Sequence, residues 1–120
     1  MDNAMYLIVN NDLQMGKGKI AGQVGHASCA ITRLLHGKND SNYNKWLREG
    51  EAKIVLKATS SEILELLDKY NYENTKETNK CLAVHDAGHT QIPANSLTVI
   101  GFFPVLKSKA PVEIKKMKLL

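Results

Sequence analysis

The sequence has few cysteines and no long apolar run, which argues against a disulfide-rich protein and against a protein with a membrane-spanning helix. Its two cysteines, Cys29 and Cys81, are too few for a disulfide framework and indicate a reduced, intracellular chain. Each stands among apolar residues, so we expect both to be buried thiols. No stretch approaches the roughly 20 apolar residues that a membrane-spanning helix needs. Residues 1–10 also lack the basic start and the long apolar stretch of a signal peptide, so we expect a cytoplasmic location.

The composition is that of an ordinary globular protein. Of the 120 residues, 43% are apolar and 23% are charged. A chain of this length buries about two-thirds of its unfolded surface in one core, so we expect a single domain over residues 1–120. The formal net charge of +4 favours a polyanionic partner only weakly, because many proteins without a nucleic-acid role reach it.

Strand and helix patterns alternate along the chain. Four apolar runs predict strands, and they are Tyr6–Val9, Lys53–Ala58, Cys81–Val84 and Leu97–Phe103. Helical patterns lie between them: a stripe at Ile20, Val24, Ala27, Ile31 and Leu34, a short helix at Tyr43–Arg48, a helix opened by a capping box at Thr59–Glu62, and a short last helix at Val112–Lys116. The alternation predicts an α/β fold, a single three-layer α/β/α domain with a four-stranded mixed, mostly parallel sheet. No helix joins the third and fourth strands, so one of them is expected to run antiparallel.

Two polar segments follow predicted strands and are candidates for chemistry. The first, residues 10–19, passes through Gly16 and Gly18 into the first helix and carries Lys17 and Lys19. Free backbone amides at a helix start, together with two lysines, can contact phosphate. The pattern is neither a P-loop nor a dinucleotide fingerprint, and the alternative is a flexible turn with solvated lysines.

The second segment is the loop of residues 85–96, with Thr98 just beyond it. Asp86 stands at the end of the third predicted strand, where a carboxylate can be partly desolvated. Loops of this kind also occur as plain connections. Lys57 closes the second predicted strand, and it either adds positive charge to the same site or is a solvated strand end.

Other constellations are weaker. His85 and His89 have the spacing of zinc ligands on a helix, but Gly88 and Pro93 argue against a helix there, so we expect no metal. No Gly-x-Ser-x-Gly elbow presents a serine, and Cys29 has no basic neighbour that would activate it. His26 lies on a polar stripe with Lys19 and Gln23, and it either faces a ligand or is a structural histidine.

Both polar segments resemble the signatures of type 2 peptidyl-tRNA hydrolases. The first reads Asp-Leu-x-Met-Gly-Lys-Gly-Lys-Ile-Ala-x-Gln-Val-x-His-Ala over residues 12–27. The second reads Asp-Ala-Gly-x-Thr-Gln-Ile over residues 86–92, and Thr98-Val99 follow it. Lys57-Ala58 and the closing Lys118-Leu119-Leu120 also fit, so the likeness runs from Tyr6 to the C-terminus. One departure is His89, where the family often has arginine.

The resemblance implies a compact α/β/α homodimer that hydrolyses the ester of peptidyl-tRNA without a cofactor. The residues at matching positions form a catalytic set and a substrate-binding set. The catalytic set is Lys17, Asp86, Thr90 and Thr98. The substrate-binding set is Lys19, Gln23, His26, Lys57 and Gln91. For this reaction Asp86 could orient or deprotonate the water, and we expect it mainly to orient it. Lys17 or the backbone amides near Ala87 and Gly88 would stabilise negative charge, the threonines would supply hydroxyl hydrogen bonds, and lysines would contact tRNA phosphates.

Two other functions are compatible with the same residues. One is a non-catalytic module that binds RNA or protein on this fold. The other is a hydrolase that acts on a different acyl ester or amide. Only a peptidyl-tRNA hydrolase releases free tRNA and free peptide from purified peptidyl-tRNA, so that assay separates the three.

Overall fold

The computed structural model describes residues 2–87, 92–93 and 95–120, which form helices on both faces of an open mixed sheet. The strands are β1 (Asn3–Asn10), β2 (Lys53–Ala58), β3 (Cys81–His85), β4 (Leu97–Phe102), β5 (Val105–Leu106) and β6 (Lys118–Leu119). The α-helices are α1 (Lys17–Leu35), α2 (Ser41–Arg48) and α3 (Ser60–Tyr70). Short 3-10 helices cover Asn11–Leu13, Lys107–Lys109 and Val112–Lys116, so the last predicted helix exists in the tighter 3-10 form.

The strands follow the order β3-β4-β1-β2-β6, and β5 pairs with one end of β1. β1 and β2 are parallel, whereas β4 is antiparallel to both β1 and β3. Three of the four long strands therefore run in one direction, and β4 runs in the opposite one. One antiparallel strand was predicted, because the sequence shows no crossover helix between the third and fourth strands. The α/β class and the mixed sheet are confirmed. Among the described residues the sheet has six strands, whereas four were predicted. The prediction missed β5 and β6 because they have two residues each and show no alternating pattern in the sequence.

Local sequence accounts well for the start of α3. The Thr59 hydroxyl accepts a hydrogen bond from the Glu62 N–H at 3.2 Å, and the Glu62 carboxylate accepts one from the Thr59 N–H at 2.9 Å. This reciprocal pair is the predicted capping box, and it satisfies two amides that the helix would otherwise leave open. The box fixes where the chain leaves β2 and turns into α3.

Two apolar clusters lie on opposite faces of the sheet. One lies under α1 and α2, and the other lies under α3 and the 3-10 helix at Val112–Lys116. β1 is buried along nearly its whole length because both clusters cover it, which explains its continuous apolar sequence. The three-layer arrangement is therefore confirmed.

The orientation of α1 differs in part from the predicted stripe. Its buried residues are Gln23, Ala27, Ile31 and Leu35, whereas Leu34 is exposed. The helix lies very close to β4 at Gly101, where an added Cβ would stand 2.9 Å from the Ile31 side chain and 3.3 Å from that of Ala27. This close approach centres the buried face on Ala27 and Ile31 and carries Gln23 inside.

The two cysteines have different environments. Cys81 is buried in the sheet, as expected, but Cys29 is exposed on α1, so the prediction that both are core thiols was wrong for Cys29. The apolar residues beside Cys29 in sequence belong to the buried face of the helix, and Cys29 itself lies on the opposite face. Among the helices in the described part of the chain, none has the length and apolar character needed to cross a membrane.

Candidate active site

Several of the polar residues singled out in the sequence lie at one edge of the sheet. β1, β2 and β3 all end there, and β4 begins there, because β4 runs opposite to the other three. The N-termini of α1 and α3 follow the ends of β1 and β2, so both helix starts lie at the same edge. Side chains that are distant in sequence are therefore neighbours at this edge, as expected for sites on α/β sheets.

The Asn10 side chain forms hydrogen bonds from the end of β1 to three neighbouring segments. Its side-chain amide donates to the Leu97 carbonyl at 2.9 Å, and its side-chain oxygen accepts from the Asp12 N–H at 3.1 Å and from the Ser60 hydroxyl at 3.1 Å. The residue is almost completely buried. It thus connects the start of β4, the start of α3 and the 3-10 turn that leads to α1.

The chain enters α1 without a side-chain cap. Gly16 is the N-cap residue and offers no side-chain oxygen, and the first turn contains no acidic residue. Lys17 and Lys19 stand in this turn. The uncapped helix start and the two lysines give this junction local positive charge.

Asp86, which follows the border strand β3, forms an ion pair with Lys19 of α1 at this edge. The Asp86 carboxylate is 2% exposed, whereas the Lys19 side chain is 20% exposed, so the ammonium group reaches the carboxylate from the solvent side. The main chain of Asp86 is held on both sides: its N–H donates to the Ser96 carbonyl at 2.9 Å, and its carbonyl accepts from the Asn95 N–H at 2.9 Å. A carboxylate that is held this firmly can orient other groups.

Thr98 and Gln23 form a second polar contact that is fully buried. The Thr98 hydroxyl donates to the Gln23 side-chain oxygen at 2.6 Å, and the Val84 carbonyl lies 3.2 Å from the same hydroxyl. Val84 pairs with Val99 and His85 pairs with Leu97, so Thr98 is the extra residue of a β-bulge. Bulges redirect side chains, and this one turns Thr98 towards α1. The contact ties α1 to the strand beside Asp86.

The structure thus brings Lys19, Asp86, Gln23 and Thr98 together on one flank of α1. Lys17 lies on the other flank, where it lines an open groove of about 650 Å³ with Val24 and Leu120. Two positions along a helix correspond to about 200° of rotation, so the two lysines point in nearly opposite directions. The resemblance put Lys17 in the catalytic set, but Lys19 is the residue that contacts Asp86.

Two other expected residues lie farther out. His26 is exposed on α1, two turns beyond Lys19. Lys57 is half-buried at the end of β2, beside Lys118 of β6. Three strand spacings separate β2 from β3, about 14 Å, so Lys57 shares the edge with Asp86 without belonging to the same cluster. Thr90, Gln91 and His89 lie outside the described residues.

Sequence reasoning did not single out Asn10, although Asn10 organises the edge. A polar residue at the end of a buried strand was the available signal, but it did not indicate which partners Asn10 would have. The zinc interpretation involved His85, which is exposed. Across residues 2–87, 92–93 and 95–120, no three His, Cys, Asp or Glu residues lie together in a metal-binding group.

The site combines a fixed carboxylate, a partly exposed ammonium group and a buried hydroxyl. Such groups can orient water and stabilise developing negative charge, which are the requirements of ester hydrolysis. A lysine ammonium has three donors, so Lys19 can contact Asp86 and still donate to a bound oxyanion.

Comparison with known proteins identifies the family. The family model "Peptidyl-tRNA hydrolase PTH2" matches residues 3–120. The peptidyl-tRNA hydrolase of Methanococcus maripaludis strain C7 is 39% identical over 117 residues, covering 95% of this chain and 96% of that protein. The peptidyl-tRNA hydrolase of Methanocaldococcus jannaschii is 38% identical over 116 residues, covering 97% and 98%. That of Sulfurisphaera tokodaii is 43% identical over 121 residues, covering 95% and 91%. The chain therefore belongs to the peptidyl-tRNA hydrolase PTH2 family.

Proposed function

We propose that the chain hydrolyses the ester between a peptide and the terminal ribose of tRNA, releasing free tRNA and peptide. Membership of the family gives the substrate class. The observation that carries the proposal is the Lys19–Asp86 ion pair, which lies at the sheet edge where strand ends and helix starts meet. This pair supplies, at one point, the two charges that ester hydrolysis can use.

In the proposed reaction, the oxygen of a water molecule adds to the acyl carbon, and the bond from that carbon to the ribose oxygen breaks. One proton of the water ends on the ribose oxygen, the other passes to solvent, and the peptide leaves with a carboxylate. Asp86 orients the attacking water, because an ionised carboxylate accepts hydrogen bonds at both of its oxygens. The Lys19 ammonium stabilises the oxyanion of the tetrahedral intermediate.

Gln23 and Thr98 have a positioning role in this scheme. Their buried hydrogen bond holds α1 against β4, and so keeps Lys19 beside Asp86. A catalytic constellation loses rate when its groups move by about 1 Å, so this support contributes to turnover. Thr90 and Gln91 keep the roles that the resemblance implies, a hydroxyl hydrogen bond in catalysis and a substrate contact.

The tRNA is proposed to lie across the lysines of the same edge. Lys57, Lys116 and Lys118 line a shallow pocket of about 240 Å³ there, and Lys17 is exposed on the neighbouring flank of α1. Lysines contact phosphates without reading base sequence, which suits an enzyme that accepts many tRNAs. The homodimer and the cytoplasmic location that were expected from the sequence stay predictions.

The proposal is tested with purified protein and a labelled peptidyl-tRNA. We expect the wild type to release free tRNA and peptide, and Asp86→Asn to lower kcat/KM by at least about tenfold, or roughly 1.4 kcal/mol of barrier. Asn is close to Asp in shape, and circular dichroism checks that the variant is folded. Binding of tRNA without any release by the wild type would favour the non-catalytic module, and an undiminished rate in Asp86→Asn would remove Asp86 from the mechanism.

A further inference from the structure

β3 forms one border of the sheet, and part of its outer edge has no partner among the described residues. The Phe103 N–H donates to the Lys80 carbonyl at 2.9 Å, and Asp86 exchanges main-chain hydrogen bonds with Ser96 and Asn95. The main-chain groups of Lys80 and Asp86, one at each end of β3, therefore point towards β4. Along a strand the main-chain N–H and C=O groups of successive residues point alternately to its two sides. The groups of Cys81, Ala83 and His85 therefore point away from β4. At Cys81 the position is taken, because the Tyr72 N–H donates to the Cys81 carbonyl at 2.8 Å.

Beyond Cys81, no described residue pairs with the outer edge. Among the residues that the structure describes, Asn71 and Tyr72 are the ones that pair with this edge, through a parallel bridge at Cys81. The outward N–H and C=O groups of Ala83 and His85 lie beyond that bridge. Four main-chain groups therefore stand in a row between Tyr72 and Asp86, in the arrangement that accepts an added strand.

A trough of about 540 Å³ runs along this open edge. One wall comes from α1 and the other from the end of α3 and the residues that follow it. The lining residues on the α1 side include Ala30, Arg33 and Leu34, and those on the other side include Leu67 and Tyr72. Side chains of an added strand alternate between the two faces of a sheet, so the two walls would each receive every second side chain.

The trough stops one residue short of the proposed catalytic pair: His85 lines it, and Asp86 is the next residue of the chain. Gln23 and Lys19 continue the flank of α1 to which Ala30 and Arg33 belong, since these residues lie three, four or seven positions apart. A chain lying in the trough in the direction of β3 therefore ends beside Asp86 and Lys19.

We propose that the trough binds the peptide part of peptidyl-tRNA as an extended strand added in parallel to β3, with its C-terminal ester at Asp86. This inference rests on the proposed function and names the subsite for the acyl half of the substrate. Main-chain hydrogen bonds to Ala83 and His85 hold the peptide without regard to its sequence, as a substrate with many different peptides requires. The distance from Ala83 to Asp86 is about 10 Å, so the subsite takes about three to four residues before Tyr72 closes it.

The lining favours a peptide over RNA in this trough. Apolar side chains line it together with the polar Asn71 and His85, and its one cation, Arg33, is matched by one anion, Glu73. The lysine-lined pocket lies at the opposite border of the sheet near β6. A polyanion gains little from a trough whose charges balance. The two halves of the substrate would therefore leave the ester in different directions, the peptide along β3 and the tRNA towards the lysines.

The test is the dependence of kcat/KM on peptide length, measured with one tRNA that carries N-acetylated alanine chains of one to six residues. We expect kcat/KM to rise by about tenfold between one residue and four, since each main-chain hydrogen bond contributes a few-fold, and then to level off. A tetrapeptide that carries an N-methyl group on the amide donor facing β3 should lose most of this gain. A rate independent of length in an active wild type would overturn the subsite and leave the proposed function standing. An inactive wild type would overturn both.

A matched pair of variants tests whether the dependence on peptide length arises in the trough. Ala30→Trp fills the trough from the α1 side, whereas Ala21→Trp adds the same bulk to the groove on the other flank of α1. We expect Ala30→Trp to abolish the gain with length while the single-residue substrate reacts at nearly the wild-type rate, and Ala21→Trp to keep the gain. Should Ala30→Trp misfold, Ala83→Pro removes one outward N–H without touching the ladder to β4 and should reduce the gain. Equal length dependence in the folded trough variants and the wild type would contradict the proposal and assign the trough to another occupant, such as a strand of a second protein.

Discussion

Replacing Thr98 with valine removes the buried hydroxyl and keeps the shape of the side chain. Thr98 is fully buried and Gln23 is 6% exposed, so water cannot replace the lost partner of the Gln23 amide oxygen. A buried polar atom left without its partner costs about 1–3 kcal/mol. For a chain of this size that loss corresponds to a fall in Tm of roughly 4–12 °C.

The assay is urea unfolding of four proteins: the wild type, Thr98→Val, Gln23→Leu and the double variant. Because the two side chains share one hydrogen bond at 2.6 Å, we expect the double variant to be less destabilised than the sum of the single variants, with a coupling of about 1 kcal/mol. Thr98→Val should also lower kcat/KM for peptidyl-tRNA, since the contact holds α1 beside Asp86.

The matched control is Thr32→Val. The Thr32 hydroxyl donates to the Ser28 carbonyl at 2.8 Å within α1, and the residue is half-buried. That carbonyl keeps its helical partner, so we expect a change below about 0.5 kcal/mol. Equal stability losses at Thr98 and Thr32, or additive effects in the cycle, would refute the reasoning that the Thr98–Gln23 contact supports the site.

Two further predictions concern stability and thiol chemistry. Asn10→Ala should destabilise the fold by about 1–3 kcal/mol in urea unfolding, because the Leu97 carbonyl and the Ser60 hydroxyl both lose a partner; a loss below about 0.5 kcal/mol would show that Asn10 does not fasten this edge. Burial raises the pKa of the Cys81 thiol to about 12, whereas Cys29 is exposed. The thiolate is the reactive form, so a disulfide reagent at pH 8 should titrate one thiol in the native protein and two in denaturant; rapid reaction of both thiols in the native protein would contradict the burial of Cys81.

Local signals in the sequence predicted much of the fold. The bounds of β2 and the capping box of α3 agree with the structure, because a run of strand-forming residues and a reciprocal pair of hydrogen bonds are properties of a few neighbouring residues. β6 and the bulge at Thr98 could not be predicted in this way. Both depend on which strand lies alongside, and that partner is distant in sequence.

The site was predictable at the level of segments but not at the level of individual contacts. The first polar segment and Asp86 were identified, and they do meet at one edge. The choice between Lys17 and Lys19 depended on how α1 is rotated about its axis, and the close packing of α1 on Gly101 sets that rotation. A periodic pattern locates the apolar face of a helix only to within a residue or so, which also explains why Gln23 was expected on the polar stripe.

The central claim is that Lys19, and not Lys17, works with Asp86 on the ester bond. The direct measurement is kcat and KM for one peptidyl-tRNA with Lys19→Ala and Lys17→Ala, two variants that remove the same charge two positions apart. We expect Lys19→Ala to lower kcat by at least about tenfold, because a group that stabilises the transition state is lost. Lys17→Ala should raise KM and change kcat by less than about twofold. A collapse of kcat in Lys17→Ala, with kcat intact in Lys19→Ala, would contradict the account.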